Sequence, residues 1–409
     1  MRHRIHKRVL PALFAAGLAL AGCANLADPP ESGLEVAEYE SAHYRLRLAG
    51  TKLGDQGEAL ARRAALLMEK MFDIYSGLDE VPLPPGDPMP FWLHLDRRDY
   101  DRQAALYEFP EKTTNGFCTT SGEVHVYYRR LESHPPEATA MHEGFHQYCH
   151  RALHYPTPPE VFQRVPGYKL AKLPTVPLWL AEGMAMNLES GRVETDHNGM
   201  AVGVNDVGTV NRARLEHLTG LISSGRCPPL RSILNLIMGD QINIDSYAVM
   251  WGLVFDLRMA TGDAIFFREQ REMERAGPEA TRAAMDAAID PYRSHPYLRW
   301  PVPVVGRLLR ACRVAWGLDI PALVEVSAAG AREPRDFDRQ WNRRLTQAAL
   351  SELEKLLQDN GETLDQWEAG WRKRMLTLQA EVGGGHYRYV EPASARRPRA
   401  SRDHPPGAW

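Results

Sequence analysis

Cysteine is scarce in this chain: five among 409 residues. That is too few for a disulfide-dense scaffold, so the fold must rest on an apolar core. The hydrophobic fraction of 44% and charged fraction of 25% sit at ordinary globular values and make such a core available. Neither sign of charge dominates, since 49 Lys and Arg face 52 Asp and Glu for a formal net charge of −3. No basic field of the kind that grips a phosphate backbone follows from that balance, and nucleic acid is not an expected partner. No internal repeat is visible, which sets aside solenoids and propellers. Long apolar runs are missing too, and the one candidate, Val9 to Ala21, is too short for a comfortable membrane span.

That short run has a different meaning. Arg2, Arg4, Lys7 and Arg8 precede it and small residues end it, the pattern of a secretory signal over residues 1–22. Leu20-Ala21-Gly22-Cys23 resembles the lipobox of bacterial lipoproteins. The resemblance implies cleavage before Cys23, acylation there and anchoring to a membrane. Ala24 in place of Asp implies an outer-membrane address facing the periplasm. The alternative is an ordinary signal peptide with an incidental cysteine. Residues 23–38, with Pro29-Pro30 and Ser32-Gly33, read as a flexible tether, and 381–409 as a disordered basic tail around Arg396-Arg397-Pro398-Arg399. Cys118, Cys149, Cys227 and Cys312 allow two disulfides in three connectivities, or four free thiols.

The chemistry concentrates in two short segments. His142-Glu143-Gly144-Phe145-His146 is an H-E-x-x-H motif. On an α-helix residues four apart share a face, so two imidazoles can close on one metal ion while Glu143 stays free as a base. Trp179-Leu180-Ala181-Glu182-Gly183-Met184-Ala185 reads as a second helix, with Glu182 as a third ligand set among apolar neighbours. A buried carboxylate without a partner would be costly, which favours a ligand over an ordinary surface glutamate. Two neutral imidazoles and one carboxylate leave a bound Zn2+ with net positive charge and an open position, as catalytic zinc sites require. Gly183 removes a side chain where helices must approach closely. His150 and His154 continue the four-residue spacing. Gln147 follows His146, so the later register lacks a base, and His150 is read as supporting or structural. His154 is expected near the surface. The third histidine of the metzincin signature is absent, because Ala152 stands at its position.

Hydrophobic periodicity predicts a strand over Tyr39–Leu48, a helix over Glu58–Tyr75, a strand over Phe91–Leu95 and a helix over Arg98–Tyr107. A hairpin follows, Gly116–Thr120 and Glu123–Tyr128 around Ser121-Gly122. Pro135-Pro136 opens the metal helix, and a Pro-rich loop spans Tyr155–Val176 before the second motif helix begins near Pro177. From Val210 the pattern is mainly helical, interrupted between Pro291 and Pro303. The expected class is α+β: a small mixed β-sheet packed on the zinc-binding helix, then a mainly helical C-terminal half. Residues 39–380 form one domain, with the metal-site half at 39–208 and the helical half at 209–380.

At its two motifs the chain resembles the gluzincin zinc metallopeptidases of the peptidase MA clan. The order of elements, through Tyr247-Ala248-Val249-Met250-Trp251, is similar to a little-characterised branch of secreted bacterial proteins in that clan. The resemblance implies that His142, His146 and Glu182 ligate Zn2+ and that Glu143 is general base, then acid, in hydrolysis of a peptide or protein substrate. It implies that the strand Glu123–Tyr128 is the sheet edge that pairs with an extended substrate. Tyr247, by its place in the pattern, is the candidate transition-state stabiliser, with Tyr168 in the long loop as a rival. The chain departs from the pattern at Met186, where some gluzincins carry an acidic residue that orients a zinc histidine. Glu189 or Asn187 are the candidates to replace it. Two other classes stand beside a membrane-anchored peptidase: a catalytically inactive peptidase-like binding lipoprotein, and a lipoprotein whose zinc is purely structural.

Overall fold

The structure, a computed structural model, describes residues 33–77, 86–107, 115–128, 136–195, 201–205, 207–237, 242–261, 327, 331 and 333–384. Cys23, Cys312 and the segment 291–303 lie outside the described residues. The fold is α+β. Strands β1 (Glu35–Glu40), β2 (Tyr44–Gly50), β3 (Met89–His94), β4 (Gly116–Cys118) and β5 (Val124–Tyr127) form one mixed sheet in the order β1-β2-β3-β5-β4. β1 and β2 are antiparallel, β2 to β3 and β3 to β5 are parallel, and β4 returns antiparallel to β5.

Three features differ from expectation. The single strand at Tyr39–Leu48 is two strands, and β1 takes in the end of the segment read as a tether. The Tyr155–Val176 loop contains a short helix and a small ribbon, given below. The third difference bears on function: Glu123–Tyr128 is not the edge. β5 hydrogen-bonds β3 on one side and β4 on the other, so the edge is β4. Val124 and Val126 suit a strand buried on both flanks. β4 has three residues, one of them glycine, and short strands are how sheets end.

Alternation along the strands gives the sheet two different faces. Leu46, Leu48, Phe91, Leu93, Val124 and Val126 point to the main core. There they meet α1 (Gly54–Gly77), through Leu67, Met68 and Met71, and α3 (Pro136–Tyr148), through Met141 and Phe145. Pro136 occupies the first turn of α3, where its missing N–H costs nothing. The other face carries Trp92, His94, His125 and Tyr127 beneath α2 (Arg97–Leu106), which contributes Tyr100 and Ala104.

A π-helical turn, Cys149–Leu153, continues α3 and is closed by His154 N–H donating to the Cys149 carbonyl at 2.9 Å. Next come β6 (Tyr155–Pro156), α4 (Pro159–Arg164), β7 (Lys172–Leu173), α5 (Leu178–Leu188), and the ribbon of β8 (Arg192–Thr195) and β9 (Ala201–Asn205). The helical half contains α6 (Arg212–Ser223), α7 (Leu230–Leu234), α8 (Ile244–Thr261), α9 (Pro334–Asp359) and α10 (Leu364–Gly383). Every residue of α5 is buried except Glu182, so this helix runs through the protein interior. Gly183 permits its close crossing with α8: a Cβ there would sit 2.7 Å from the Met250 carbonyl oxygen. Among the described residues no helix is long and apolar enough to cross a membrane.

Candidate metal centre

α3 and α5 lie side by side with their motif residues facing one another. His142 Nε2 and His146 Nε2 are 3.2 Å apart. Glu182 Oε2 lies 3.3 Å from His142 Nε2, and Glu182 Oε1 lies 3.6 Å from His146 Nε2. Ligand atoms about 2.0–2.2 Å from a tetrahedral zinc stand about 3.3–3.5 Å from each other, so the donor set fits that ion. Glu182 Oε2 is buried and accepts no hydrogen bond among the described residues, which a cation would remedy. This is the only group of three or more potential ligands that could hold a metal among the described residues. Cys149 and His150 are not part of it, and among the described residues no fourth protein ligand joins the group.

Glu189, the C-cap residue of α5, sits two helical turns beyond Glu182 on the same face. Its Oε2 lies 3.2 Å from His142 Nδ1 and accepts that ring's N–H, so that with a cation bound the Nε2 lone pair would face it beside Glu182 and His146. Of the residues considered in place of Met186, Glu189 is thus the one that reaches His142. Asn187 does not: its amide donates to the carbonyls of Gly183 and Trp251 and its oxygen accepts from Arg258, a structural knot between α5 and α8. Asn211 Nδ2 donates to Glu189 Oε1 at 3.1 Å, and Arg214 lies 3.4 Å from the same oxygen. Neither α6 residue was singled out by the sequence motifs. Their only local signal is Asn211 at a helix N-cap position.

The charges are strongly coupled. Burial opposes protonation of His142, but the carboxylates of Glu182 and Glu189 outweigh it and push its pKa up to about 10. Burial raises Glu182, yet His146 and His142 pull it well below the usual carboxylate range. Such a cage of carboxylates and imidazoles favours a cation at its centre. Burial pushes the Glu143 carboxyl up, against the pull of His142 and His146. Glu143 is 9% exposed and its Cγ lies under Gly116 of β4, where a Cβ would come within 2.7 Å. Only glycine lets the sheet edge approach Glu143 this closely.

Tyr247, near the start of α8, is half-buried. Burial raises its pKa, and so do Glu182 and Glu143, which places the phenol within electrostatic reach of both. Its hydroxyl has no hydrogen-bond partner among the described residues. Tyr168 is elsewhere: its hydroxyl donates to Asp338 at 2.9 Å and its ring packs on Phe337. His150 also lies off the site. Its ring abuts Gly122 of the β4–β5 turn, and burial, with Lys172 and Arg151 nearby, lowers its pKa to about 4. The π turn carries His154 off the α-helical register, and its half-buried ring stands 5.2 Å from that of His150. Cys118, Cys149 and Cys227 form no disulfide with one another.

Comparison with protein-family models, curated proteins and solved structures found no match to this chain.

Proposed function

We propose that the protein is a zinc-dependent metallopeptidase of gluzincin type, held at the cell envelope, on the periplasmic side of an outer membrane, by a lipid anchor at Cys23. The observation that carries the reading is the convergence of His142, His146 and Glu182 within ligand distance, with Glu143 beside them beneath the sheet edge. When bound, zinc supplies Lewis acidity toward a water nucleophile and a carbonyl oxygen. The chain supplies the rest. A Glu143 oxygen takes a proton from the attacking water and passes it to the leaving nitrogen, work suited to a carboxyl raised above its ordinary pKa. β4, the outermost of the described strands beside Glu143, is the edge to which an extended peptide backbone would add. The Tyr247 hydroxyl, without a hydrogen-bond partner among the described residues, donates to the oxyanion as the carbonyl becomes tetrahedral.

Three candidate ligands among the described residues, none of them cysteine, argue against a closed structural zinc. An inactive binding lipoprotein is separated by experiment. Soluble protein beginning after Cys23 should cleave an unbiased peptide library, lose cleavage with chelator and regain it with zinc. Glu143→Gln should retain zinc and lose roughly 10²–10⁴-fold in rate. Full activity in Glu143→Gln refutes the mechanism, and zinc retention without any cleavage by wild type leaves the binding-lipoprotein reading.

A further inference from the structure

We propose that Arg214 is a positioning residue that ties the support of a metal ligand to the wall carrying Tyr247, so that the two hold one geometry. The inference rests on the reading of His142, His146 and Glu182 as a metal centre.

Glu189 is 7% exposed and one of its oxygens is committed to His142. A carboxylate so buried needs donors on its other oxygen. They come from the first turn of α6. Asn211 caps this helix, its side-chain oxygen accepting from Arg214 N–H at 3.2 Å, while its amide donates to Glu189 Oε1 at 3.1 Å. Arg214 sets both Nε and Nη2 at 3.4 Å from that same oxygen. The helix N-terminus adds a favourable dipole. The path therefore runs from α6 through Glu189 to His142 Nδ1.

The same guanidinium has a second partner. Its central carbon lies over the Tyr247 ring, 5.6 Å from the centroid. A guanidinium can hydrogen-bond a carboxylate along its edge while its face lies on an aromatic ring; an ammonium has no such face. Arg214 is thus the side chain that touches both the carboxylate orienting His142 and the aromatic group proposed to meet the oxyanion. At 24% side-chain exposure it is partly shielded from screening water. Its charge also acts on the phenol in the direction opposite to the carboxylates, lowering the Tyr247 pKa where Glu182 and Glu143 raise it.

The test uses Arg214→Gln, Arg214→Lys, Glu189→Gln and the double variant Arg214→Gln/Glu189→Gln in otherwise intact protein. Zinc affinity is read by competition with a chromophoric chelator. Arg214→Gln should weaken zinc about tenfold, within the range for lost outer support of a ligand, and should add nothing once Glu189 is already Gln. Arg214→Lys, which keeps the charge, should restore most of the affinity. The ring contact is read by NMR of ¹³C-labelled tyrosine, with the Tyr247 signal assigned through Tyr247→Phe. That signal should move in both Arg214 variants while the other tyrosine signals stay in place, which also certifies the fold. Absence of zinc binding by wild type would refute the metal-centre reading itself. Zinc-binding wild type with unchanged affinity in Arg214→Gln, fully additive losses in the double variant, or an unmoved Tyr247 signal in both variants would overturn this proposal while leaving that reading intact.

Discussion

An imidazole has two nitrogens, and a metal ligand needs one of them bare. At His142 Glu189 bears on the choice: its carboxylate accepts a hydrogen bond from Nδ1–H at 3.2 Å, so that Nε2 is the nitrogen that would meet a bound cation. The cluster of His142, His146 and Glu182 was legible in the sequence, because two histidines four residues apart share a helix face and Glu182 stands among apolar neighbours on the second motif helix. The orienting carboxylate was legible only as one of two candidates. Glu189 and Asn187 both follow Glu182 on α5, and which one reaches His142 depends on the cap geometry of that helix. Asn211 and Arg214 carried no readable motif, since their role arises from the placement of α6 against α5. At the same scale Tyr247 makes a sharp prediction. Tyr247→Phe removes one proposed oxyanion donor and no ligand. It should lower kcat/KM on the order of 10²–10³-fold at unchanged zinc affinity. Steady-state kinetics beside a zinc titration checks this, and wild-type rates in the variant would remove Tyr247 from the mechanism.

Among the elements, the hairpin was readable but not its orientation. Both hairpin strands are apolar, and local pattern does not say which one meets β3; the shortness and glycine of β4 are the signals that would have favoured it as the edge. The π turn was invisible for a related reason. A stripe of histidines at four-residue spacing reads as one α-helical face, and only the packing of residues 149–153 shows the register change. The sheet's outer face holds another feature that its alternating pattern did not announce. His94 joins Asp99 at 2.6 Å and His125 at 3.0 Å, with Glu123 beyond, bonded by Trp92 and Tyr107. Burial, and then His94, depresses the His125 pKa, with Asp99 acting weakly against them. The native state thus keeps His125 neutral, whereas the unfolded chain protonates it below about pH 6.5. Its contribution to stability is complete above that pH and is lost as pH falls, at up to about 1.4 kcal/mol per pH unit. Urea unfolding at pH 7.5 and 5.5 should show a smaller acid loss in His125→Phe than in wild type. Equal losses would mean that His125 does not titrate as described.

At the scale of the whole molecule, the metal-site half does not stand alone. α9 pins the long loop through Tyr168 to Asp338 and through Trp341 Nε1–H, which donates to the Pro174 carbonyl at 2.9 Å. α10 closes over α6 and α8. Trp371 is fully buried there, and its indole N–H donates to the Gly252 carbonyl at 3.0 Å. A mainly helical second half was predictable from periodicity, but its docking partners were not, because contacts more than a hundred residues apart leave no local trace. Trp371→Ala should cost about 3–5 kcal/mol in urea unfolding while leaving zinc affinity unchanged in the folded protein. A loss below about 1 kcal/mol would show that α10 is not integral to the core.

The account depends most on one ion held by His142, His146 and Glu182. Equilibrium zinc titration of the metal-free protein tests this directly. One equivalent should bind to wild type, with affinity largely abolished in His142→Ala, His146→Ala and Glu182→Ala variants that retain their fold. A wild-type protein that takes up no zinc, or variants that bind it as tightly as wild type, would contradict it.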